Sequence, residues 1–450
     1  MVLAAWRHWW LRLLRVDHNA SGVELFCAFF AVSAQSAAVV AGFFLPFSTT
    51  ATEILLSAFV LFWLLSGHYR EKIATILRSK VALVSLVMAG LLVLGLTYTS
   101  APPGEALGVL LRYRRFLYIP LLLTAFQAAT VRRHAIYAFQ SAMLLVLAAS
   151  LVLFFARALC GSPDNCCVFK NHITQNVLMA FFVGLTACRL PRNRLGYWLA
   201  IVAILLASFN ILFMVDGRTG YLALFGIAAV VLYRRIGVHG LVLTAVAAAC
   251  VCIAGYCASA NFRHRINLAL AEVQTCRDQD LSELGSSIGR RAFYYRTSAV
   301  VVGQHPLLGA GTGCYRTELQ RHVREGYNYL CSNPHSDYFN IVVQTGLVGL
   351  AVFLFWIYAQ WQSSRRLPAD LAGPAQSLIV TFVLGGLFNS LLMDVTEACL
   401  FCYFTGLCHA GQPMAPAPQH GGLAEETDET EAVDDFHEHR GGPGAVARTG

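Results

Sequence analysis

Apolar runs of about 16 to 24 residues recur along most of the chain, each long enough to match the roughly 20 residues a helix needs to cross a bilayer core. They predict helices over 23–45, 51–66, 81–98, 106–127, 135–157, 173–188, 195–214, 219–233, 240–260, 337–360, 374–393 and 397–410. A closed barrel is the other spanning solution, and the strict alternation it needs is missing. The expected fold class is therefore an all-α polytopic membrane protein with about twelve transmembrane helices.

The polar connections set an orientation. HYREKIATILRSK (68–80), VRRH (131–134), RLPRNR (189–194), YRR (233–235) and SSRR (363–366) are basic, while LPFSTT (45–50), TSAPPGE (99–105) and MDVTEA (393–398) carry no Lys or Arg. Basic connections stay on the cytoplasmic side, so the alternation predicts cytoplasmic termini. Five segments follow: an interfacial helix over 1–22 mixing Trp with Arg, helices 1–9 over 23–260, a large outer loop over 261–336, helices 10–12 over 337–410, and a disordered acidic tail over 411–450.

Composition sharpens this picture. The chain is 57% hydrophobic and 13% charged, far below the roughly one quarter charged of a soluble domain. A net charge of +8 would suit a nucleic-acid partner, but most of the basic residues sit in short connections between apolar runs, which argues against one. Most of the 14 cysteines lie in apolar runs and read as small core residues. In the outer connections, one disulfide among Cys276, Cys314 and Cys331 and another joining Cys160 to Cys166 or Cys167 are candidates.

The candidate chemistry sits on the outer side. VDGRTG (215–220) leaves Arg218 between two apolar helices, where a guanidinium either snorkels to headgroups or meets an anion. Its planar fork suits phosphate oxygens. Arg290 and Arg291 in SSIGRRAFYYR (286–296) invite the same two readings. Arg112, Arg114 and Arg115 fall inside the fourth run and are expected to touch lipid headgroups or glycan, unless a helix boundary falls there. GAGTG (309–313) is either a plain loop or a close approach to a ligand. His335 follows Asn333-Pro334 at the start of a helix. It is either held by local backbone or acts as a general base, with Asp337 orienting the ring or serving the helix N-terminus. No metal-ligand spacing accompanies the scattered histidines.

The order GRTG, SIGRRAFYY, QHPLLGAGTGCY and NPHSDYF…QTGLVGL resembles the O-antigen ligase and polymerase superfamily, over about residues 205 to 355. The resemblance implies a GT-C-like layout, a periplasmic active site in the bacterial inner membrane, and an undecaprenyl diphosphate-linked glycan as donor. It also implies no nucleotide, metal or other cofactor. NPH ahead of GLVGL looks most like the ligases that pass O-antigen to the lipid A core. The family's functional residues carry over to Arg218, Arg291 (or the adjacent Arg290) and His335, with Tyr295 at the family's aromatic position. Many relatives have HN where this chain has His335-Ser336, and an acidic residue near Gln344 or Thr345. Polymerases and protein O-oligosaccharyltransferases share the pattern. A twelve-span transporter is the alternative from another class, and it fits poorly because the two halves show no repeat.

Overall fold

A computed structural model describes residues 21–159, 166–215, 217–258, 263, 267, 271, 287–323 and 331–412. Every regular element among them is helical. The helices are α1 Gly22–Phe44, α2 Thr49–Leu65, α3 Tyr69–Arg78, α4 Lys80–Leu94, α5 Pro103–Tyr113, α6 Tyr118–Ala125, α7 Ala129–Leu159 and α8 His172–Cys188. They continue as α9 Arg194–Phe209, α10 Arg218–Ile236, α11 Val238–Ala258, α12 Ser287–Gln304, α13 Tyr315–His322, α14 Asp337–Ser364, α15 Ala369–Gly385 and α16 Val395–His409. Residues 1–20 of the expected interfacial helix (1–22), residues 413–450 of the expected tail (411–450), Cys160 and Cys276 lie outside the described residues. Cys314 and Cys331 both carry free thiols.

Each expected run contains a helix, but not twelve spans of one kind. Among the described residues seven helices are long and apolar enough to cross a membrane, and α2 with α3 makes an eighth if that pair, bent by 117°, is one span. α8 and α15 are apolar but, at 17 residues each, shorter. The fourth run is broken: α5 stops at Tyr113, a 3-10 turn covers Arg114–Leu117, and α6 follows. In the eleventh run, expected over 374–393, α15 ends at Gly385, and residues 386–394 form turns.

Connections assigned to one side meet one another. Thr49 Oγ1 accepts a hydrogen bond from Lys170 Nζ at 2.6 Å and lies 3.4 Å from Thr396 Oγ1. At the opposite ends Arg189 pairs with Asp370 at 2.8 Å, and Arg235 donates to the carbonyl of Ala187 at 3.0 Å.

α14 is not one straight rod. Gly346 has φ 65° and ψ −167°, so the helix breaks there. In an unbroken helix the stretch from Tyr338 to Phe353 covers about 22 Å. Their ring centroids lie 5.7 Å apart, which folds the first part of α14 back along the second. The backbone groups freed by the break are taken up by Pro306–Gly313. Leu347 and Val348 donate to the carbonyls of Pro306 (2.8 Å) and Leu307 (3.2 Å), while Ala310 and Gly311 donate to those of Val343 (2.8 Å) and Gln344 (3.1 Å).

That exchange decides the role of GAGTG. The remaining N–H groups of the turn are also taken: Thr312 donates to the carbonyl of Gly95 (3.1 Å) and Gly313 to Gln344 Oε1 (2.9 Å). Gly309, Gly311 and Gly313 all have positive φ, and a Cβ on Gly311 would fall 2.2 Å from Thr99 Cα. The glycines therefore serve a packed clasp, with these donors already committed rather than open to a phosphate. Gln344 is part of the clasp, its Nε2 bonded to the carbonyl of Asn340 at 2.9 Å.

Candidate active site

The three motifs far apart in sequence converge on the loop 386–394. Gly386 accepts, through its carbonyl oxygen, the N–H of Asp337 at 2.8 Å and the hydroxyl of Ser336 at 3.1 Å. Leu387 accepts from the hydroxyl of Tyr295 at 2.9 Å. Asn389 donates through Nδ2 to Thr219 Oγ1 at 2.6 Å. One short loop thus ties together the start of α14, the middle of α12 and the start of α10.

Arg218 is the first residue of α10 and is exposed. The glycines around it allow the turn to lie against α8. A Cβ at Gly217 would sit 2.7 Å from Asn176 Nδ2, and one at Gly220 2.7 Å from Asn176 Cβ. A helix N-terminus carries partial positive charge, which adds to that of the guanidinium.

Arg290 and Arg291 stand near the start of α12, Arg291 half-buried. Burial, then the nearby cations Arg218 and Arg290, push Arg291 below the ordinary guanidinium range, with Tyr295 opposing. Arginine does not give up its proton in proteins, so Arg291 stays charged, at the cost of burial first and of its like-charged neighbours second. Among the described residues neither Arg218 nor Arg291 pairs with a carboxylate, whereas Arg114, Arg115, Arg189 and Arg321 all do.

His335 is one of two non-glycine residues among those described with positive φ, at 55°. Its N–H donates to Asn333 Oδ1 at 3.0 Å, and its carbonyl lies 3.2 Å from the Tyr295 hydroxyl. The imidazole packs against the ring of Tyr294 with centroids 5.9 Å apart. Burial, then the charges of Arg291 and Arg290, hold His335 below the usual imidazole range. The ring is therefore mostly neutral at pH 7 and able to accept a proton.

Asp337 does not orient this ring. Its carboxylate is buried, and Oδ1 accepts the N–H of Leu392 at 3.1 Å, fixing the 386–394 loop instead.

The arginines of the fourth run sit apart from this cluster in their bonding. Arg115 is buried, its Nε and Nη2 donating to Glu53 Oε1 at 2.9 and 2.6 Å. Arg114 also pairs with Glu53. Arg112 is exposed, and its charge reaches Asp394. The 3-10 turn after α5 aims Arg115 at α2, a partnership the apolar pattern does not reveal. A lone Glu within the second run was the available signal, since an ionisable residue in a span implies a partner.

The apolar helices define a multi-pass membrane protein, in which three arginines gather beside a histidine held below the usual imidazole range. Residues 201–354 match the family model described as O-Antigen ligase, about a third of the chain, which supports its place in the O-antigen ligase superfamily. The match contains Arg218, Arg290, Arg291 and His335 and implies glycosyl transfer of the ligase or polymerase type. No curated protein matches the chain.

Proposed function

We propose that the protein transfers an O-antigen glycan from undecaprenyl diphosphate to a sugar hydroxyl of the lipid A core, at the periplasmic face of the bacterial inner membrane. The observation that carries this reading is the cluster of Arg218, Arg290 and Arg291 next to His335, with Arg218 and Arg291 lacking a carboxylate among the described residues. A diphosphate supplies the missing negative charge, and planar guanidinium groups match its oxygens in pairs.

In the proposed reaction, Arg218 and Arg291 bind the diphosphate and stabilise the charge that grows on it as the bond from the anomeric carbon to phosphate oxygen breaks. His335 takes the proton of the acceptor hydroxyl, whose oxygen attacks the anomeric carbon from the opposite face and inverts it. The diphosphate leaves with the bonding electron pair. Arg112 stands outside this scheme as a glycan or headgroup contact, and Arg114 and Arg115 act through Glu53 on the fold.

The test is deletion of the gene in its host, with lipopolysaccharide run on a gel and undecaprenyl-linked glycans extracted. Loss of the O-antigen ladder with build-up of lipid-linked polymer supports the ligase. Lipopolysaccharide capped by one repeat makes the protein a polymerase, and an intact ladder with glycan missing from proteins makes it a protein-directed transferase. No change in any pool overturns glycan transfer and returns the transporter.

A further inference from the structure

We propose that Tyr295 is a positioning residue whose hydroxyl holds His335 in the left-handed conformation that aims its imidazole at the arginines, an inference that rests on His335 acting as the base. The left-handed region is unfavourable for a residue with a Cβ, so something outside His335 must hold it there. Its peptide is gripped from both sides. Asn333 Oδ1 takes the N–H, and the Tyr295 hydroxyl faces the carbonyl oxygen at 3.2 Å while also reaching that of Leu387 at 2.9 Å. A hydroxyl has one proton, so Tyr295 shares it between the two carbonyls and thereby ties His335 to the end of α15.

The ring of Tyr295 is fixed independently of that hydroxyl. It stacks on Phe339 with centroids 4.8 Å apart and planes 27° from parallel. Burial raises the phenol above its ordinary range, with Arg291 opposing, so the group keeps the proton it needs to donate.

The register of α12 gives the arrangement its consequence. Tyr295 lies one helical turn after Arg291 and so projects from the same face. The helix that presents the guanidinium to the donor also clamps the backbone of the base. If the clamp is released, His335 relaxes toward ordinary backbone angles and its Cβ swings away from the reacting centre. Donor binding, which depends on the arginines, is untouched. Tyr295 therefore acts on turnover and not on donor affinity.

The experiment uses full-length protein in proteoliposomes, undecaprenyl diphosphate-linked glycan extracted from the host as donor, and host lipopolysaccharide lacking O-antigen as acceptor. Tyr295→Phe keeps the stacked ring and removes the hydroxyl. The expected result is a fall in kcat of roughly three- to tenfold, the worth of one neutral hydrogen bond, with donor KM and melting temperature unchanged. Asn333 grips the same peptide from the other side and Asn333→Ala releases it, so the double variant should lose less than the product of the two single losses. A Tyr295→Phe rate equal to wild type overturns the proposal. So does a rise in donor KM, a lowered melting temperature that accounts for the loss, or losses that multiply independently. Failure of the underlying reading looks different: wild type then shows no transfer, or His335→Ala retains it.

Discussion

Tyr338 and Phe353 touch across the fold of α14, and that contact exists only because Gly346 lets the helix double back. The break is filled from outside by Pro306–Gly313, so clasp and break depend on each other. A Cβ at Gly346 would lie 2.1 Å from the carbonyl oxygen of Leu307, at a φ that L-residues avoid. Gly346→Ala is therefore expected to cost about 3–5 kcal/mol or to prevent folding, since backbone strain and a clash with main chain act together. The melting temperature of the solubilised protein checks this. A variant as stable as wild type would mean that the clasp moves freely from α14.

The cations around His335 predict a particular pH dependence. Protonating the imidazole removes the base, so the rate falls as pH drops through its pKa. Burial, then Arg291 and Arg290, hold that pKa below the usual 6.5, so the acid limb of kcat/KM, which reports free enzyme, should lie below pH 6.5. A bound diphosphate offsets the same cations and favours imidazolium, so the acid limb of kcat should lie at higher pH than that of kcat/KM. Profiles of both parameters from pH 5 to 8 decide it. Coincident limbs would separate the histidine from the diphosphate.

Removing one cation tests the same coupling from the other end. Arg291→Gln should lower kcat by about 10²–10³-fold, the usual cost of a lost group that stabilises a leaving anion. It should also move the acid limb of the residual activity upward, because His335 then feels one positive charge fewer. A large loss of rate with an unmoved limb would assign Arg291 to donor binding at a distance from the base.

Much of the scaffold was legible because apolar runs report helices whatever the connections do. α1, α8, α9, α10 and α14 begin within a residue of where the pattern starts them. The motifs GRTG, GRR and NPH named residues that the fold does bring together. What the pattern missed are breaks that cost no hydrophobicity. The stretch from Phe388 to Met393 is apolar enough to read as helix, yet Gly385-Gly386 stops α15 and turns it into the hub that ties Thr219, Tyr295 and Asp337 together. Gly346 breaks α14 inside a run that stays apolar on both sides. Hydropathy follows the transfer of side chains, whereas these features depend on where main-chain hydrogen bonds go.

The pairing of Glu53 with Arg115 was hidden for the same reason, and it yields the last prediction. Arg115 is 3% exposed, and its Nε and Nη2 both donate to Glu53 Oε1. Glu53→Gln keeps the shape but leaves a buried cation without its counter-charge, a change that costs about 3–5 kcal/mol when one partner of a buried pair is removed. Removing both charges together is far milder, because no uncompensated ion remains. Glu53→Gln with Arg115→Met should recover most of the melting temperature lost by Glu53→Gln alone. Arg114 is largely solvated and should add little to the cycle. If the double variant is as unstable as the single, the pair serves something other than mutual neutralisation. The carboxylate would then be held for Cys399, whose thiol lies 3.6 Å from Glu53 Oε1.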